Sequence, residues 1–438
     1  NEEQQTLQKQ QMKNNKRFKT EKENMAMSIF HTEFVKQQAV FMEEELISIR
    51  RRLHACPELG TKEIKTSALI MEYLRQWEIP FVFPVADTGI VATIQGEMGA
   101  NCARKLPVVA LRADIDALPL QEDKSRPYCS QNDGVMHACG HDAHTAIALG
   151  VAHFLKQHER EWGGIVKIFF QPAEETIGGA ERMVNEGCME NPHVDYVIGL
   201  HMMPTLEYGE VELRYNDLNA ASDELSILIH GKSSHCSHPE QGLDAIVMAS
   251  AVIQNLQTVI SRSLPPLKNA VLSMGTIEGG TAHNIIADQV KLTGTLRTTD
   301  NTLRRHLLER IRCIVEETCS AYGGTGEFII HPGYDALVND NEIVDVIKEA
   351  AARRLDLAHI HFKEHPSLGV EDFSFFLNKA SGAFYHLGCA CKEKGITAPL
   401  HSSNFDIDER ALALGFELQT SIVGRLLRRG TTRGAGPT

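Results

Sequence analysis

The sequence predicts an α/β protein: a doubly wound, mainly parallel sheet into which a smaller α+β domain is inserted. Three buried strands, at 107–113, 164–171 and 194–201, alternate with helical segments, which is typical of a parallel sheet. Polar residues follow each strand at its carboxyl end, where open α/β sheets bind their ligands. Beyond residue 222, a β-α-β-β-α-β order indicates a ferredoxin-like insertion.

The other elements follow from apolar spacing and from turn residues. Apolar residues at helical intervals predict a first helix over 32–54, and Pro80 ends a second helix that begins near Thr61. Short strands are expected at 81–85 and 89–95. Further helices are predicted at 143–158, 243–261, 302–322, 341–354 and 409–427, and further strands at 224–230, 270–277, 289–298, 325–331 and 383–388.

These elements divide the chain into five segments. Residues 1–24 are almost wholly polar and lack the apolar side chains that a core requires. The predicted organisation is a disordered extension (1–30), the first part of the main, catalytic domain (31–219), an inserted lid or dimerisation domain (220–332), the second part of the main domain (333–427) and a disordered tail (428–438).

Bulk composition narrows the class of partner. The net charge of −13 argues against binding to nucleic acid phosphates. No apolar run approaches the length of a membrane span. Ten cysteines lie scattered without a regular spacing, which is typical of reduced thiols in a cytoplasmic protein. We therefore expect a cytoplasmic protein whose partner is a small molecule.

The densest group of chemically active side chains is His137-Ala-Cys-Gly-His-Asp-Ala-His144. Thiolate and imidazole are ligands of zinc and similar metals, and a short loop after a strand delivers both together. Cys139 and His141 are therefore the first-choice ligands. Taken alone, the motif is equally compatible with a buried structural cysteine and polar residues at a helix start.

Two adjacent acids, Glu174 and Glu175, follow the strand at 164–171. Neighbouring carboxylates at the end of a buried strand are costly unless a cation or a shared proton compensates them. One carboxylate can bind a metal while the other moves a proton between water and a leaving amine. The alternative is an acidic helix N-terminus.

Four motifs together resemble a known family. They resemble the amidohydrolase/aminoacylase branch of the co-catalytic metallopeptidases (peptidase family M20, subfamily D), which includes auxin-conjugate hydrolases, hippurate hydrolases and N-acetyl-amino-acid deacetylases. The resemblance covers about residues 43–427 and implies a phosphorylase/hydrolase-like core that cleaves the amide bond of N-acyl amino acids. The motifs are His137-Ala-Cys-Gly-His-Asp-Ala-His144, Gln171-Pro-Ala-Glu-Glu175, Gly199-Leu-His201 and His401-Ser-Ser-Asn-Phe-Asp406.

The resemblance also implies two divalent metal ions in each chain, either zinc or manganese. Cys139 would bridge them as a thiolate. His141 and His201 would serve one metal, and Glu175 and His401 the other. Thiolate ligation favours zinc, whereas members of this branch are often activated by manganese.

Further roles are implied for residues beyond the metal ligands. Glu174 would be the general acid/base, and Asp114 a catalytic-site acid that orients a ligand. In the insertion, Gly231-Lys-Ser-Ser-His235 resembles a lid motif whose histidine stabilises the oxyanion, often from a partner subunit, so a homodimer or larger homo-oligomer is expected. Cys236-Ser237 departs from the family's small Gly-Ala pair. Asn284 and Arg297 occupy positions that bind the substrate carboxylate.

Two other functions remain open from the residues. Cys139 with a nearby histidine would suit a metal-free cysteine hydrolase. A non-catalytic relative would use the cleft only to bind a ligand, or the insertion only to dimerise. The sequence does not choose the acyl group, although Thr176-Ile177 stands where relatives tend to be glycine-rich.

Overall fold

The computed structural model describes residues 29–98, 107–123 and 126–429. The predicted disordered ends, 1–30 and 428–438, lie almost wholly outside these ranges. Ile29 and Phe30, at the border of the predicted extension, are buried in the core. The chain forms two compact units: unit 1 runs up to Tyr215 and includes Asn339–Lys363 and the chain from Phe375 on, whereas unit 2 comprises Asn216–Val338 and Glu364–Ser374.

The described part of the chain contains both long buried elements and several very short ones. The strands are β1 Phe81–Val85, β2 Gly89–Glu97, β3 Val108–Asp114, β4 Gly163–Gln171, β5 Tyr196–Glu207, β6 Val211–Leu213, β7 Asn216–Asn219, β8 Ala221–His230, β9 Ala270–Gly279, β10 Gln289–Thr298, β11 Thr325–Pro332, β12 Leu337–Asn339, β13 Ile360–Phe362 and β14 Ser381–Ala390. The helices are α1 Thr32–Ala55, α2 Ile64–Gln76, α3 His141–Gln157, α4 Gly179–Asn185, α5 Ala245–Ser263, α6 Asn301–Ala321, α7 Asn341–Ala351, α8 Ser374–Leu377 and α9 Arg410–Leu426.

Unit 1 is built on an eight-stranded sheet in the order β1-β2-β4-β3-β5-β14-β6-β13. Strand β3 is parallel to both of its neighbours, β4 and β5, and β14 is parallel to β5. The carboxyl ends of these four strands therefore lie at one edge of the sheet, which is where ligands bind in such folds. The predicted α/β core is confirmed.

Burial explains why these segments form the centre of unit 1. Every residue of β3 is buried, as expected for a parallel strand covered on both faces. Helices α1, α3 and α9 pack against one another. Gly150 of α3 allows a close approach to α1, because a Cβ there would lie 2.4 Å from Cδ2 of Leu46. This packing fixes the start of α3, where the cysteine and histidine motif lies.

Unit 2 has a four-stranded antiparallel sheet in the order β11-β8-β10-β9 and its own apolar core. Asp244 and Asp300 directly precede helices α5 and α6, and their side chains accept hydrogen bonds from free amides in the first turn of each helix. The predicted ferredoxin-like insertion is confirmed. Unit 2 also includes Glu364–Ser374, which the sequence pattern assigns to the main domain; the amide of Ala220 donates to the carbonyl of Ser367.

Among the described helices, none combines the length and the apolar character needed to cross a bilayer.

Candidate metal centre

A left-handed glycine places the first two candidate ligands. Gly140 has φ 91° and precedes α3, so Cys139 lies just before the helix and His141 opens it. A Cβ at Gly140 would lie 3.0 Å from Cβ of Met202, closer than almost any real contact. Backbone conformation and space therefore both require glycine here.

The two adjacent acids lie on a turn that other carboxylates hold in place. Ala173, immediately before Glu174, has φ 58°, which is uncommon for a residue with a side chain. Its amide donates to Oε1 of Glu63 at 2.9 Å. The amide of Glu175 donates to Oδ2 of Asp116, also at 2.9 Å. These buried acceptors stabilise a turn that presents both glutamates at the carboxyl end of β4.

Two histidines from other parts of the chain complete the group. His201 of β5 donates from Nδ1 to the carbonyl of Met202 at 2.7 Å, so its Nε2 carries the lone pair and lies 3.3 Å from Sγ of Cys139. His401 has φ 60° and its amide donates to the carbonyl of Ala138 at 2.8 Å. Its Nε2 lies 3.1 Å from Oε1 of Glu175.

His141 has the orientation of a metal ligand. Its Nδ1 lies 3.0 Å from the carbonyl oxygen and 3.2 Å from Oδ1 of Asp116, to which it donates. Its Nε2 is buried without a hydrogen-bond partner, 3.4 Å from Oδ2 of Asp114 and 4.0 Å from Oε1 of Glu175. When the imidazole is neutral, a histidine held through Nδ1–H has its Nε2 lone pair available for a metal, as metal-binding histidines do.

The candidate ligand atoms form two overlapping triads. In each triad the ligand atoms lie within 4.8 Å of one another, and Cys139 belongs to both. The structure thus brings together all five ligands that the sequence predicts. Glu174 forms another such group with His141 and Glu175, so it lies beside them. The triads are Cys139-His141-His201 and Cys139-Glu175-His401.

The charges around these atoms favour a cation. Burial raises the pKa of the Cys139 thiol well above its ordinary value, and the carboxylates of Glu175, Glu174 and Asp114 raise it further. Burial lowers the pKa of His201 well below its usual value, which keeps the imidazole neutral. A buried thiol among carboxylates needs a positive charge to be stable as a thiolate, and divalent metals supply one.

In the metal-free site, protonated histidines supply part of the positive charge that a metal would provide. Burial by itself lowers the pKa of His141, but the carboxylates of Asp114, Asp116 and Glu175 outweigh it and raise the pKa to about 10. The pKa of His401 is raised by its hydrogen bond to Glu175. Both histidines therefore lie beside carboxylates that favour a positive charge, and a bound metal ion would satisfy the same carboxylates.

Asp114, predicted as a catalytic-site acid, is engaged by supporting residues. Its carboxylate accepts from Nη1 of Arg112 at 2.7 Å and from Nδ1 of His144 at 2.6 Å. Nε2 of His144 in turn accepts from the amide of Met202 at 2.8 Å, so both nitrogens of that ring are used. Burial opposes ionisation, but Arg112, His141 and His144 lower the pKa of Asp114 well below its ordinary value. Asp114 is an ionised, oriented acid beside His141.

The predicted residues of the insertion lie within unit 2. The exposed His235 is paired through its backbone with Ile285, and its Nδ1 accepts from the amide of Ser237 at 3.1 Å. The carbonyl of Asn284 accepts from the amide of Cys236 at 3.1 Å, so His235 and Asn284 lie on neighbouring segments. Arg297 lies on β10 and donates from Nη1 to the carbonyl of Leu368 at 2.7 Å.

Four polar residues that support the site are absent from the sequence-based prediction. Asp116 and Glu63 hold the turn with the two glutamates, and Arg50 and His54 contact Asp142, next to His141. A signal for the last pair exists, because Arg50 and His54 interrupt the buried apolar stripe of α1 at helical spacing. Asp116 follows Asp114 by two residues, which places a second acid at the end of β3.

This fold, with two groups of potential ligand atoms that share Cys139, indicates a metal-dependent hydrolase. The chain belongs to a family within that class: the model of peptidase family M20/M25/M40 matches residues 110–425. Resemblance and fold therefore agree, and the family predicted from the motifs is confirmed.

Known relatives share most of the chain. The N-acetyl-L-cysteine deacetylase of Bacillus subtilis is 37% identical over 372 residues, which is 85% of this chain and 85% of that protein. The IAA-amino acid hydrolase ILR1-like 4 of Arabidopsis thaliana is 37% identical over 386 residues, which is 87% of this chain and 86% of that protein. Both relatives are hydrolases, and so is this chain.

A solved structure resembles the whole fold. The YXEP protein of Bacillus subtilis, described as a dinuclear metal-binding peptidase of the M20 family, superimposes with a TM-score of 0.74 and is 33% identical. The match covers 88% of this chain and 98% of that protein. The dinuclear centre of that protein agrees with two ligand triads here.

Proposed function

We propose that the protein is a metal-dependent amidohydrolase that cleaves the amide bond of N-acyl amino acids. The observation that carries this proposal is the pair of ligand triads that share Cys139, with Glu174 beside them. The names of the relatives support the substrate class, since one acts on N-acetylcysteine and another on IAA-amino acids. These two relatives are equally identical to this chain, so the acyl group itself stays open.

Two divalent metal ions, zinc or manganese, would occupy the triads. Cys139 would be shared, His141 and His201 would hold one ion, and Glu175 and His401 the other. The Nε2 atom of His141, which is buried without a hydrogen-bond partner, supports this assignment. When bound, such ions polarise the amide carbonyl and lower the pKa of water.

Glu174 would carry the proton transfers. Its carboxylate takes a proton from the attacking water and then gives it to the amide nitrogen, so that the C–N bond breaks and a carboxylic acid and a free amino acid leave. Its position beside Glu175 and His141 supports this role, since a general base must lie within reach of the water it activates. Asp114 would act by holding His144 and facing His141, not by touching substrate.

The residues of unit 2 would bind the substrate. His235 is exposed and free to donate from its ring to the oxyanion that develops on the amide carbonyl. Asn284 and Arg297 would bind the free carboxylate, for which a guanidinium offers a two-pronged fork. The Asn284 segment is bonded to the His235 segment, which supports a joint role.

We also propose a cytoplasmic homodimer or larger homo-oligomer that associates through unit 2. Strand β9 is at the edge of the sheet of unit 2, and Val271 and Ile277 on it are exposed. An exposed edge strand with apolar side chains favours pairing with a second copy. Light scattering after gel filtration measures the state directly.

The cysteine-hydrolase alternative has one observation in its favour, the 3.3 Å separation between Sγ of Cys139 and Nε2 of His201. It gives no purpose to Glu175 and His401, which lie together beside Cys139. A relative that only binds a ligand needs no Glu174. The alternatives therefore account for fewer of the grouped side chains.

Metal content tests the proposal. The purified protein and Cys139→Ser are compared by mass spectrometry of metals, with Cys188→Ser as a control because Cys188 is also buried but lies outside the triads. We expect close to two ions in the parent and the control, a sharp loss in Cys139→Ser, and hydrolysis of N-acyl amino acids that depends on added zinc or manganese. A parent that binds no metal and hydrolyses these substrates would establish the cysteine mechanism instead.

A further inference from the structure

A fully buried guanidinium contacts a residue next to one of the candidate metal ligands. Arg50, on α1, has no exposed surface. Its Nε donates to Oδ2 of Asp142 at 2.7 Å, and its Nη2 donates to Oδ1 of Asp406 at 2.9 Å. Nη1 lies 3.4 Å from Oε1 of Glu409. Each nitrogen of the guanidinium thus faces a different acid.

The two closest acids belong to the two segments that carry the candidate ligands. Asp142 directly follows His141 in the first turn of α3, and Asp406 lies on the segment that begins at His401. These segments also touch each other, because the amide of His401 donates to the carbonyl of Ala138. The side chain of Arg50 is therefore hydrogen-bonded to both segments, and each segment carries a candidate ligand of a different triad.

A second layer of hydrogen bonds holds the same two acids. Nδ1 of His54 lies 2.8 Å from Oδ2 of Asp142, and its Nε2 lies 3.2 Å from Oε1 of Glu122. The hydroxyl of Tyr128 donates to Oδ2 of Asp406 at 2.8 Å. The geometry needs a planar fork at position 50, because a lysine ammonium cannot point to Asp142 and Asp406 with the same in-plane angles.

Burial of such a cluster is a poor way to stabilise a fold, since the desolvation of the charges offsets most of their attraction. What it does give is fixed geometry, because each carboxylate has one arrangement that satisfies the guanidinium. We propose that Arg50 is a positioning residue for the metal centre. It holds the His141 segment and the His401 segment in fixed relative positions, so that the two triads meet at Cys139. This inference rests on the proposed function.

A matched pair of variants tests it. Arg304 of unit 2 is a similar clamp, whose guanidinium donates to both oxygens of Asp223 at 2.6 and 2.7 Å and to Asp335 at 2.6 Å, far from the triads in the chain. Arg50→Lys and Arg304→Lys each replace a fork by a single ammonium. Metal affinity is measured by competition with a chromophoric chelator, and the cobalt-loaded proteins are compared by their visible and thiolate-to-cobalt absorption.

We expect Arg50→Lys to bind metal about 10–100-fold more weakly, the range seen when the residues that orient ligands are changed, and to shift the cobalt absorption. Arg304→Lys should lose stability to denaturant but keep both readouts of the parent. Asp406→Asn provides a second variant, because it weakens only the arm that leads to His401; we expect it to lower the affinity for one of the two ions.

If Arg50→Lys has the same metal affinity and the same cobalt absorption as the parent, the inference is overturned. The proposed function still stands in that case, provided that the parent binds metal. A parent that binds no metal would overturn both. Should Arg50→Lys fail to fold, Asp406→Asn decides: uniform binding of both ions with parental affinity overturns the positioning role, and selective weakening of one supports it.

Discussion

The carboxylate of Asp116 lies 3.2 Å from Nδ1 of His141, and its other oxygen accepts from the backbone amide of Glu175 at 2.9 Å. One buried side chain thus orients the imidazole of a candidate ligand of one triad and the backbone of a candidate ligand of the other. Partners that hold ligands in this way contribute strongly to metal affinity. Asp116 therefore helps to position one candidate ligand of each triad and makes Nδ1 of His141 a donor, which leaves Nε2 as the nitrogen that faces the other ligands.

Asp116→Asn should weaken metal binding by about 10–100-fold. An amide keeps one acceptor oxygen, but its NH₂ group then faces either the Nδ1–H of His141 or the amide of Glu175, both of which are donors. Chelator competition measures the change. Asp195→Asn is the control, since Asp195 also accepts from a backbone amide, that of Val108 at 2.9 Å, at the other end of β3. Equal affinities in the two variants would contradict the role of Asp116.

Glu174→Gln should lower kcat by about 10²–10⁴-fold, the usual contribution of general acid–base catalysis. The amide neither accepts the proton of the water nor donates one to the leaving nitrogen. Metal content should stay at the parental value, because Glu174 is in neither of the triads that share Cys139. Glu175→Gln should instead lose metal. Turnover of Glu174→Gln at the rate of the parent would refute the assignment.

The sequence predicts those parts of the fold that depend on local pattern. Strand β3 is an unbroken buried run, and its neighbours β4 and β5 alternate with helices, so the parallel order follows. The short strands β6 and β13 are missed because three residues carry no periodicity. Strand β5 continues to Glu207, beyond the predicted end at His201, because its last residues pair with β14.

The candidate site divides in the same way. Cys139 and His141 follow from a short motif at a helix start, and Glu175 from one at a strand end, where the chemistry of neighbouring residues is visible in the sequence. Local sequence marks Arg50 as unusual but does not predict its partners, Asp142 and Asp406, which are 92 and 356 residues away. Such pairings arise only when α1, α3 and the segment before α9 pack together. Local sequence predicts ligand types, whereas packing determines what orients them.

In the metal-free protein, His54 should contribute stability that is lost as pH rises above about 6.5. Burial and Arg50 lower the pKa of His54, but Asp142 and Glu122 outweigh them and raise it above the ordinary value. A histidine whose pKa is raised on folding contributes stability that is fully present below about pH 6.5 and is lost as pH rises through the folded pKa.

The unfolding free energy of the parent relative to that of His54→Gln should therefore fall as pH rises through this range. Each unit by which folding raises a pKa is worth about 1.4 kcal/mol, so denaturant titrations at several pH values resolve the difference. The protein is kept free of metal with a chelator, because metal binding competes with protons. His365→Gln, at an exposed histidine, serves as the control. Parallel curves for the parent and His54→Gln would disprove the effect.

Gly140→Ala should destabilise the protein and also weaken metal binding, and the comparison with Gly134→Ala separates the two causes. Both glycines have positive φ, 91° and 76°, so an alanine at either position is strained by about 1–2 kcal/mol. At Gly134 a Cβ meets nothing within 4 Å, whereas at Gly140 it meets Met202 at 3.0 Å. Relief of that contact must move the segment that carries Cys139 and His141. Denaturant unfolding should therefore show a larger loss of unfolding free energy for Gly140→Ala than for Gly134→Ala. Chelator competition should show weaker metal binding in Gly140→Ala alone. Equal metal affinity in the two variants would mean that the approach of Gly140 to Met202 does not position the ligands.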